Sequence, residues 1–482
     1  MTLETRPLHE EFIRTFYKLV QLAKIHEDNN QLLLECIEEF MQFIARLLVD
    51  DDQITLQISR GNIYLQDEKL RYRREIESFT NNLFRYLEKR NLPGLCFFTD
   101  IQDASAKEII EFSRTLNNAE QQEDPLKWFV QQLENQGFAW AEVVYEQDAP
   151  TEDQPPETDP QDQVQKRKEK ARKSYFYALD SLKEVSEKIS CGKKAGVRKS
   201  LRMIQNMVDL VMEDEPILLG LSTIRDYDDY TFTHSVNVAI LSMCLGQRIG
   251  LSRTSLHRLG VCGILHDLGK LDIPIEIIHQ PGKLNQSEFE EIKKHTIYSV
   301  TQIIKLHAPH DLKAKILLPP FEHHLKYDLS GYPKTNRKKP VSLFGRIITI
   351  ADVFDAITSP RVYRRHMVFS PDQALNAMLD GAGTDFDPIL LKMFINMLGV
   401  YPIGSLLELD TGELGLVMDT DTTFDGTRPM AVLLASDGNG GYTRVGVADL
   451  AERDAKSGAF RRNIVRSIHP STRGIQPAEF LI

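Results

Sequence analysis

Apolar positions between residues 8 and 48 recur at helical spacing. The period then changes. Ile54-Thr55-Leu56-Gln57-Ile58 and Asn62-Ile63-Tyr64-Leu65 flank Ser59-Arg60-Gly61 and predict a β-hairpin. A helix is expected over 74–89, a buried strand over 94–98 and a helix opened by Ser105, with Glu108 at capping-box distance. A helix over 125–135 and a strand over 140–145 complete the set. Residues 1–146 read as an α/β module without a catalytic constellation, suited to interaction or sensing.

Residues 147–165 are rich in Pro, Asp, Glu and Gln and predict a flexible linker, since so little apolar surface cannot offset the entropy of ordering. Lys166-Arg167-Lys168, Lys170, Arg172 and Lys173 follow, and read as a solvated face rather than a contact for an anionic partner. Residues 166–219 form a helical connector. Tyr175, Leu179, Leu182, Val185 and Ile189 make one stripe, and Val197, Leu201, Ile204, Val208 and Val211 a second, with Cys191-Gly192 between them. An αα-hairpin, a dimerisation element and a cap on the next helical bundle all satisfy that pattern. Residues 401–482 turn β-rich: a hairpin is expected about Asp410-Thr411-Gly412, with further strands over 429–435 and 442–447. The predicted fold class is multidomain, a central all-α bundle between an N-terminal α/β module and a small C-terminal β-rich appendage.

At 482 residues the chain exceeds one compact core. Apolar and charged contents of 42% and 26% are those of an ordinary globular protein. A net charge of -11 argues against a general DNA or RNA binder but leaves room for a small anionic ligand in a local cationic pocket. No apolar run reaches the length of a transmembrane helix, and residues 1–11 lack a signal-peptide core, so no membrane insertion and a cytoplasmic location are expected. Cys36, Cys96, Cys191, Cys244 and Cys262 are odd in number and lack CxxC spacing, which fits reduced thiols.

The chemistry concentrates in the helical stretch. Leu265-His266-Asp267-Leu268-Gly269-Lys270 sets two ionisable groups inside an apolar run read as helical over 259–271. Burying them is costly unless something pairs with them. His234 lies upstream, and His295, His323-His324 and Asp352 downstream. A His-Asp hydrogen bond accounts for one such pair; the whole set points to divalent metal. Asp267, central in the set, is the candidate bridge. Nitrogen and oxygen ligands without thiolate favour two divalent ions of the iron or manganese kind, with zinc or nickel also admissible.

His323-His324-Leu325-Lys326-Tyr327-Asp328-Leu329-Ser330-Gly331-Tyr332-Pro333 resembles the motif of the HD-GYP proteins. So do Pro274-Ile275-Glu276-Ile277-Ile278, Pro281-Gly282-Lys283-Leu284, Arg346 to Ala356, and Phe386-Asp387-Pro388. The likeness spans 220–400. It implies an all-helical, metal-dependent phosphodiesterase that cleaves cyclic di-GMP to pGpG and onward to GMP. By resemblance, His234, His266, Asp267 and Asp352 hold one metal, and His295, His323 and His324 the other, with Asp267 shared. Lys270 contacts phosphate, Arg361, Tyr363 and Arg364 contact the dinucleotide, and Asp355 supports a ligand. The loop of Asp328, Gly331, Tyr332 and Pro333 is where the resemblance places GGDEF-type signalling partners, and a homodimer is compatible with it.

The chain departs from the pattern at Leu325 (usually Glu), Leu329 (usually Gly), Pro360 (usually Asp) and Tyr230, where three-metal members carry Glu. Leu329 is expected to alter the loop, because Leu adopts positive φ less freely than Gly. Two other readings stay open: a catalytically weak receptor for cyclic dinucleotides, and an enzyme for a related one such as cyclic GMP-AMP.

Overall fold

In the computed structural model, the description covers residues 5–48, 53–59, 62–66, 68–69, 77–138, 140–144, 160–192, 195, 197–224, 230–278, 280, 282, 284–306, 308, 310–359, 368–419, 427–438 and 441–481. The chain forms two compact units, residues 1–157 and 158–482.

Among the described residues, the α-helices of the first unit are α1 (Thr5–Ile25), α2 (Gln31–Leu47), α3 (Glu77–Glu88), α4 (Ala106–Asn118) and α5 (Pro125–Gln136). Its strands are β1 (Gln53–Ser59), β2 (Asn62–Leu65), β3 (Glu68–Lys69), β4 (Gly94–Phe98) and β5 (Ala141–Val143), in the order β3-β2-β1-β4-β5. The single helical run expected over 8–48 is two helices. The first ends at Ile25, and Asn30 caps the second, its side chain accepting from Leu33 N. The expected hairpin is present, with Ser59 opposite Asn62 and Leu56 opposite Leu65. Ser105 and Glu108 form a reciprocal capping box at the start of α4. Phe97, on β4, is the hub of the core. Phe16 lies 5.5 Å from it and Phe112 5.9 Å, both edge-on, a favourable geometry for aromatic quadrupoles.

The second unit opens with α6 (Pro160–Ser190), α7 (Arg198–Glu213), α8 (Glu215–Leu221), α9 (Tyr230–Arg248) and α10 (Arg253–Leu265). Here the expected linker is corrected: α6 begins at Pro160, inside it. Proline suits the first helical turn, and the following Gln residues are good helix formers, so propensity extends the helix past its apolar stripe. α6 and α7 form an antiparallel pair about Gly192, which takes φ +67°, and Ser181 bonds Ser200 across it at 2.8 Å. The helices continue as α11 (Ile275–Ile278), α12 (Gln286–Lys293), α13 (His295–Lys305), α14 (His310–Ile316), α15 (Leu318–Glu322), α16 (Leu343–Thr358), α17 (Pro371–Leu379) and α18 (Pro388–Leu398).

An antiparallel sheet in the order β10-β6-β7-β8-β9 follows, from β6 (Leu406–Leu409), β7 (Leu414–Asp419), β8 (Met430–Ser436), β9 (Tyr442–Asp449) and β10 (Ile464–Ile468), then α19 (Ala478–Leu481). One apolar core runs through this unit. It joins Ala171 and Tyr175 of α6, Val236 and Ala239 of α9, Ile350 of α16, and Leu406, Leu416 and Val432 of the sheet. Among the described residues, no helix is long and apolar enough to cross a membrane. All five cysteines are free thiols, and only Cys191 is exposed.

Candidate metal centre

The histidines and aspartates converge from helix ends. α9 presents His234 near its start, α13 opens with His295, and α15 stops at Glu322, making His323 its cap. α16 brings Asp352 and Asp355 from its interior. The helical run expected over 259–271 is corrected: α10 ends at Leu265, Asp267 takes φ -101° and ψ 11°, and Leu268–Asp272 is a 3-10 turn. The cause is a close approach. Gly269 N donates to Ser299 Oγ at 2.8 Å, and a Cβ on Gly269 would stand 2.1 Å from His295 O. The chain therefore leaves its helical path to press on α13, and only glycine fits. Lys270 reaches the cluster from this turn, not from a helix face, and forms an ion pair with Asp267.

A repeated device aims the imidazoles. Nδ1 of His266 donates to Gly263 O at 2.7 Å, that of His295 to Ile292 O at 2.6 Å, and that of His323 to Pro320 O at 2.7 Å. Each partner is the carbonyl three residues back. His234 Nδ1 instead donates to Asp355 Oδ2 at 2.7 Å. With Nδ1 anchored in this way, each Nε2 is turned toward the centre, the atom a metal ligand must present.

Asp267 stands between two sets of these nitrogens. Its Oδ2 lies 3.2 Å from His266 Nε2 and 3.7 Å from His234 Nε2. Its Oδ1 lies 3.4 Å from His295 Nε2 and 3.9 Å from His323 Nε2. Asp352 Oδ1 is 3.1 Å from His234 Nε2, and its Oδ2 is 3.9 Å from His324 Nδ1. Three groupings bring their donor atoms within 4.8 Å of one another: His295 with His323 and His324, His234 with His266 and Asp352, and His266 with Asp267 and His323.

The cluster is deeply buried, Asp267 being 3% and His266 0% exposed. Asp267 Oδ1 and His266 Nε2 are buried without a hydrogen-bond partner. A buried carboxylate oxygen left this way is what a cation satisfies, so these residues fit divalent metal. Burial pushes the Asp267 carboxyl up, but His266 and Lys270 outweigh it and hold it well below the usual carboxylate range. Asp352 is likewise held low, by His234 and His324 against its burial. Burial lowers His295, His323 and His324, keeping them neutral. Burial works the same way on His234, but hydrogen bonds with Asp352 and Asp355 outweigh it and push this group up to about 9.

The glycine-tyrosine-proline loop folds back onto the centre. Gly331 N donates to Leu325 O at 3.0 Å and Tyr332 N to His324 O at 2.9 Å. The Tyr332 ring sits 4.6 Å from that of His324, and the Tyr332-Pro333 peptide is cis. Leu329 adopts φ +66°, so a left-handed turn that glycine favours is made here by leucine. Asp328 is exposed, accepts from Ser330 N at 2.8 Å and stays out of the cluster. Arg361, Tyr363, Arg364 and Pro360 lie outside the described residues, as does the side chain of Tyr230.

Several supporting residues escaped the sequence reading. Asn237 Nδ2 donates to Asp355 Oδ1 at 3.2 Å. Ser299 Oγ donates to His266 O at 2.9 Å, and Thr349 Oγ1 to His323 O at 2.7 Å. Glu322, fully buried, pairs with Arg337 and accepts from Ser342 N at 3.0 Å and from Ser342 Oγ. Ser342 caps α16, so Glu322 ties the His323 turn to the helix bearing Asp352. The available signals were Asn237, one turn after His234, and an acidic residue directly before the paired histidines.

Residues 193–390 match the HD domain family. This region is an HD domain of the HD-GYP type. The chain is 32% identical over 209 residues to "Cyclic di-GMP phosphodiesterase PA4108" of Pseudomonas aeruginosa, covering 43% of this chain and 49% of that protein. It is 38% identical over 161 residues to "3'3'-cGAMP-specific phosphodiesterase 1" of Vibrio cholerae, covering 33% and 36%. The chain thus spans about half or less of the length of these relatives. Among solved structures, the Bdellovibrio bacteriovorus HDG"Y"P protein Bd1817 aligns over 72% of this chain and 94% of its own, at 14% identity and a TM-score of 0.40. The HD domain contains every residue proposed from sequence as a ligand, whereas α6 precedes it.

Proposed function

We propose that this chain hydrolyses a cyclic dinucleotide, cyclic di-GMP foremost, to the linear product pGpG at a two-metal centre. The observation that carries the reading is Asp267, whose two carboxylate oxygens face two different sets of imidazoles. His234, His266, Asp267 and Asp352 would hold one ion, and His295, His323, His324 and the shared Asp267 the other, with iron or manganese the best match to the donors. Bound there, the ions supply a water of lowered pKa and positive charge against the phosphoryl oxygens.

The protein's own groups do the rest. The carbonyl anchors on Nδ1 keep Nε2 of His266, His295 and His323 turned toward the centre. Lys270, a quarter exposed beside Asp267, offers an ammonium to a non-bridging phosphate oxygen. Arg361 and Arg364 are assigned to phosphate and guanine edges, which guanidinium donors match, and Tyr363 is assigned to the dinucleotide with them. The α/β unit is assigned a regulatory or partner-binding role.

Protein purified without oxygen and supplied with iron or manganese should convert cyclic di-GMP to pGpG. Binding without turnover under those conditions would instead establish a receptor. The likeness to a 3'3'-cGAMP-specific enzyme favours one second reading, cyclic GMP-AMP as substrate. Competition between the two dinucleotides in the same assay separates them.

A further inference from the structure

Tyr175 is fully buried on α6, outside the matched HD domain. Its hydroxyl donates to Asn237 Oδ1 at 2.9 Å. Asn237 is itself fully buried, and its Nδ2 donates both to Ile224 O at 3.2 Å and to Asp355 Oδ1 at 3.2 Å. Asp355 Oδ2 accepts from His234 Nδ1 at 2.7 Å. Three hydrogen bonds thus lead from α6 to the back of an imidazole whose other nitrogen faces Asp352 and Asp267.

The direction of each bond matters. An amide can sit in its pocket either way round, with nearly the same shape. Reversed, Asn237 would turn its oxygen toward the Asp355 carboxylate and the Ile224 carbonyl, setting acceptor against acceptor. Those two acceptors select the orientation in which Asn237 supports Asp355, and the Tyr175 O–H anchors the amide oxygen that this orientation turns toward α6. Asp355 in turn holds the His234 proton on Nδ1.

We infer that Tyr175 is a positioning residue for the metal centre, and that α6, the first helix after the segment joining the two units, bears on the His234 side of that centre through it. A shift or rotation of α6 that withdraws the hydroxyl would loosen Asp355 and weaken ion binding without touching a ligand. This gives events upstream of α6 a physical route to the site. The inference rests on the metal centre proposed above.

The test uses the full chain and manganese, with metal content measured by mass spectrometry after dialysis against a graded series of Mn²⁺. Tyr175→Phe removes one oxygen and keeps the ring. It should weaken manganese binding about threefold, less than the roughly tenfold that loss of a ligand's direct outer partner costs, because Asn237 and Asp355 stand between. It should also shift the His234 Nδ1–H proton resonance. Ser181→Ala is the control, since it deletes another buried hydroxyl of α6, bonded to Ser200. It should leave both readouts at wild-type values. Unchanged manganese binding and His234 resonance in Tyr175→Phe would overturn the inference while leaving the metal centre standing. Equal losses in the two variants would overturn it as well, by showing a general effect of disturbing α6. If wild-type protein binds no manganese or iron, the metal centre itself fails, and the inference with it.

Discussion

Glu322→Gln tests how the His323 turn is held. The carboxylate is fully buried and receives Arg337, Ser342 N and Ser342 Oγ. All its partners are donors, so the amide that replaces it must turn its own NH2 toward one of them in either orientation. At least one charge-assisted hydrogen bond is lost, about 1.5–3 kcal/mol. The Arg337 charge also loses its counterpart, and breaking a buried pair this way costs about 3–5 kcal/mol in all. The Arg337 side chain is 23% exposed, which lets water recover part of that and puts the expected loss near the low end, about 3 kcal/mol. For a unit of this size, that lowers the melting temperature by about 4 °C. Differential scanning calorimetry on the full chain should show the drop in one of its transitions, and circular dichroism at 25 °C should show native helix content. A melting profile within about 1 °C of wild type would refute the claim that this carboxylate is a structural tie.

Asp267→Ala should lose at least one metal equivalent by mass spectrometry, and nearly all hydrolysis, with helix content intact; wild-type metal content would end the bridging role. Gly331→Ala places a Cβ 1.9 Å from His324 O, so the loop must shift and release the Tyr332 N bond to that oxygen; titration calorimetry should show weakened manganese binding, and wild-type affinity would count against the loop as a support for His324. Arg361→Ala and Arg364→Ala should each weaken cyclic di-GMP binding by roughly 1.5–3 kcal/mol in titration calorimetry at unchanged metal content. Affinity unchanged in both would make the segment a solvated surface.

Local pattern carried the reading where the determinants are local. The 54–65 hairpin and the Ser105 capping box follow from spacing alone, and the side chains singled out around Asp267 do gather in one cluster. What escaped was set by distant partners. The end of α10 depends on Gly269 meeting Ser299, a contact that apolar periodicity over 259–271 cannot register. Leu329 takes positive φ where Tyr327 N and Asp328 N are bonded to Asp385 O and Thr384 O, which pins the turn from outside. Asn237 and Tyr175 act through partners 118 and 62 residues away, and neither belongs to a motif. Glu322 is likewise defined by distant partners, Arg337 and Ser342, which lie 15 and 20 residues downstream.

The continuous core of the second unit separates two boundaries that are usually drawn together. The stretch recognisable by kinship stops at 390, yet Leu406, Leu416 and Val432 beyond it, and Ala171 and Tyr175 before it, are buried in the same interior. A fragment trimmed to the recognisable stretch would expose that interior to water and behave as a sticky, partly ordered chain, whatever its ligands. Kinship here marks where the chemistry is inherited, and cohesion marks what must be made in one piece. Residues in the flanks are then free to drift in identity while remaining bound in size and polarity, so the outer helices and the sheet can diverge beyond recognition without becoming dispensable.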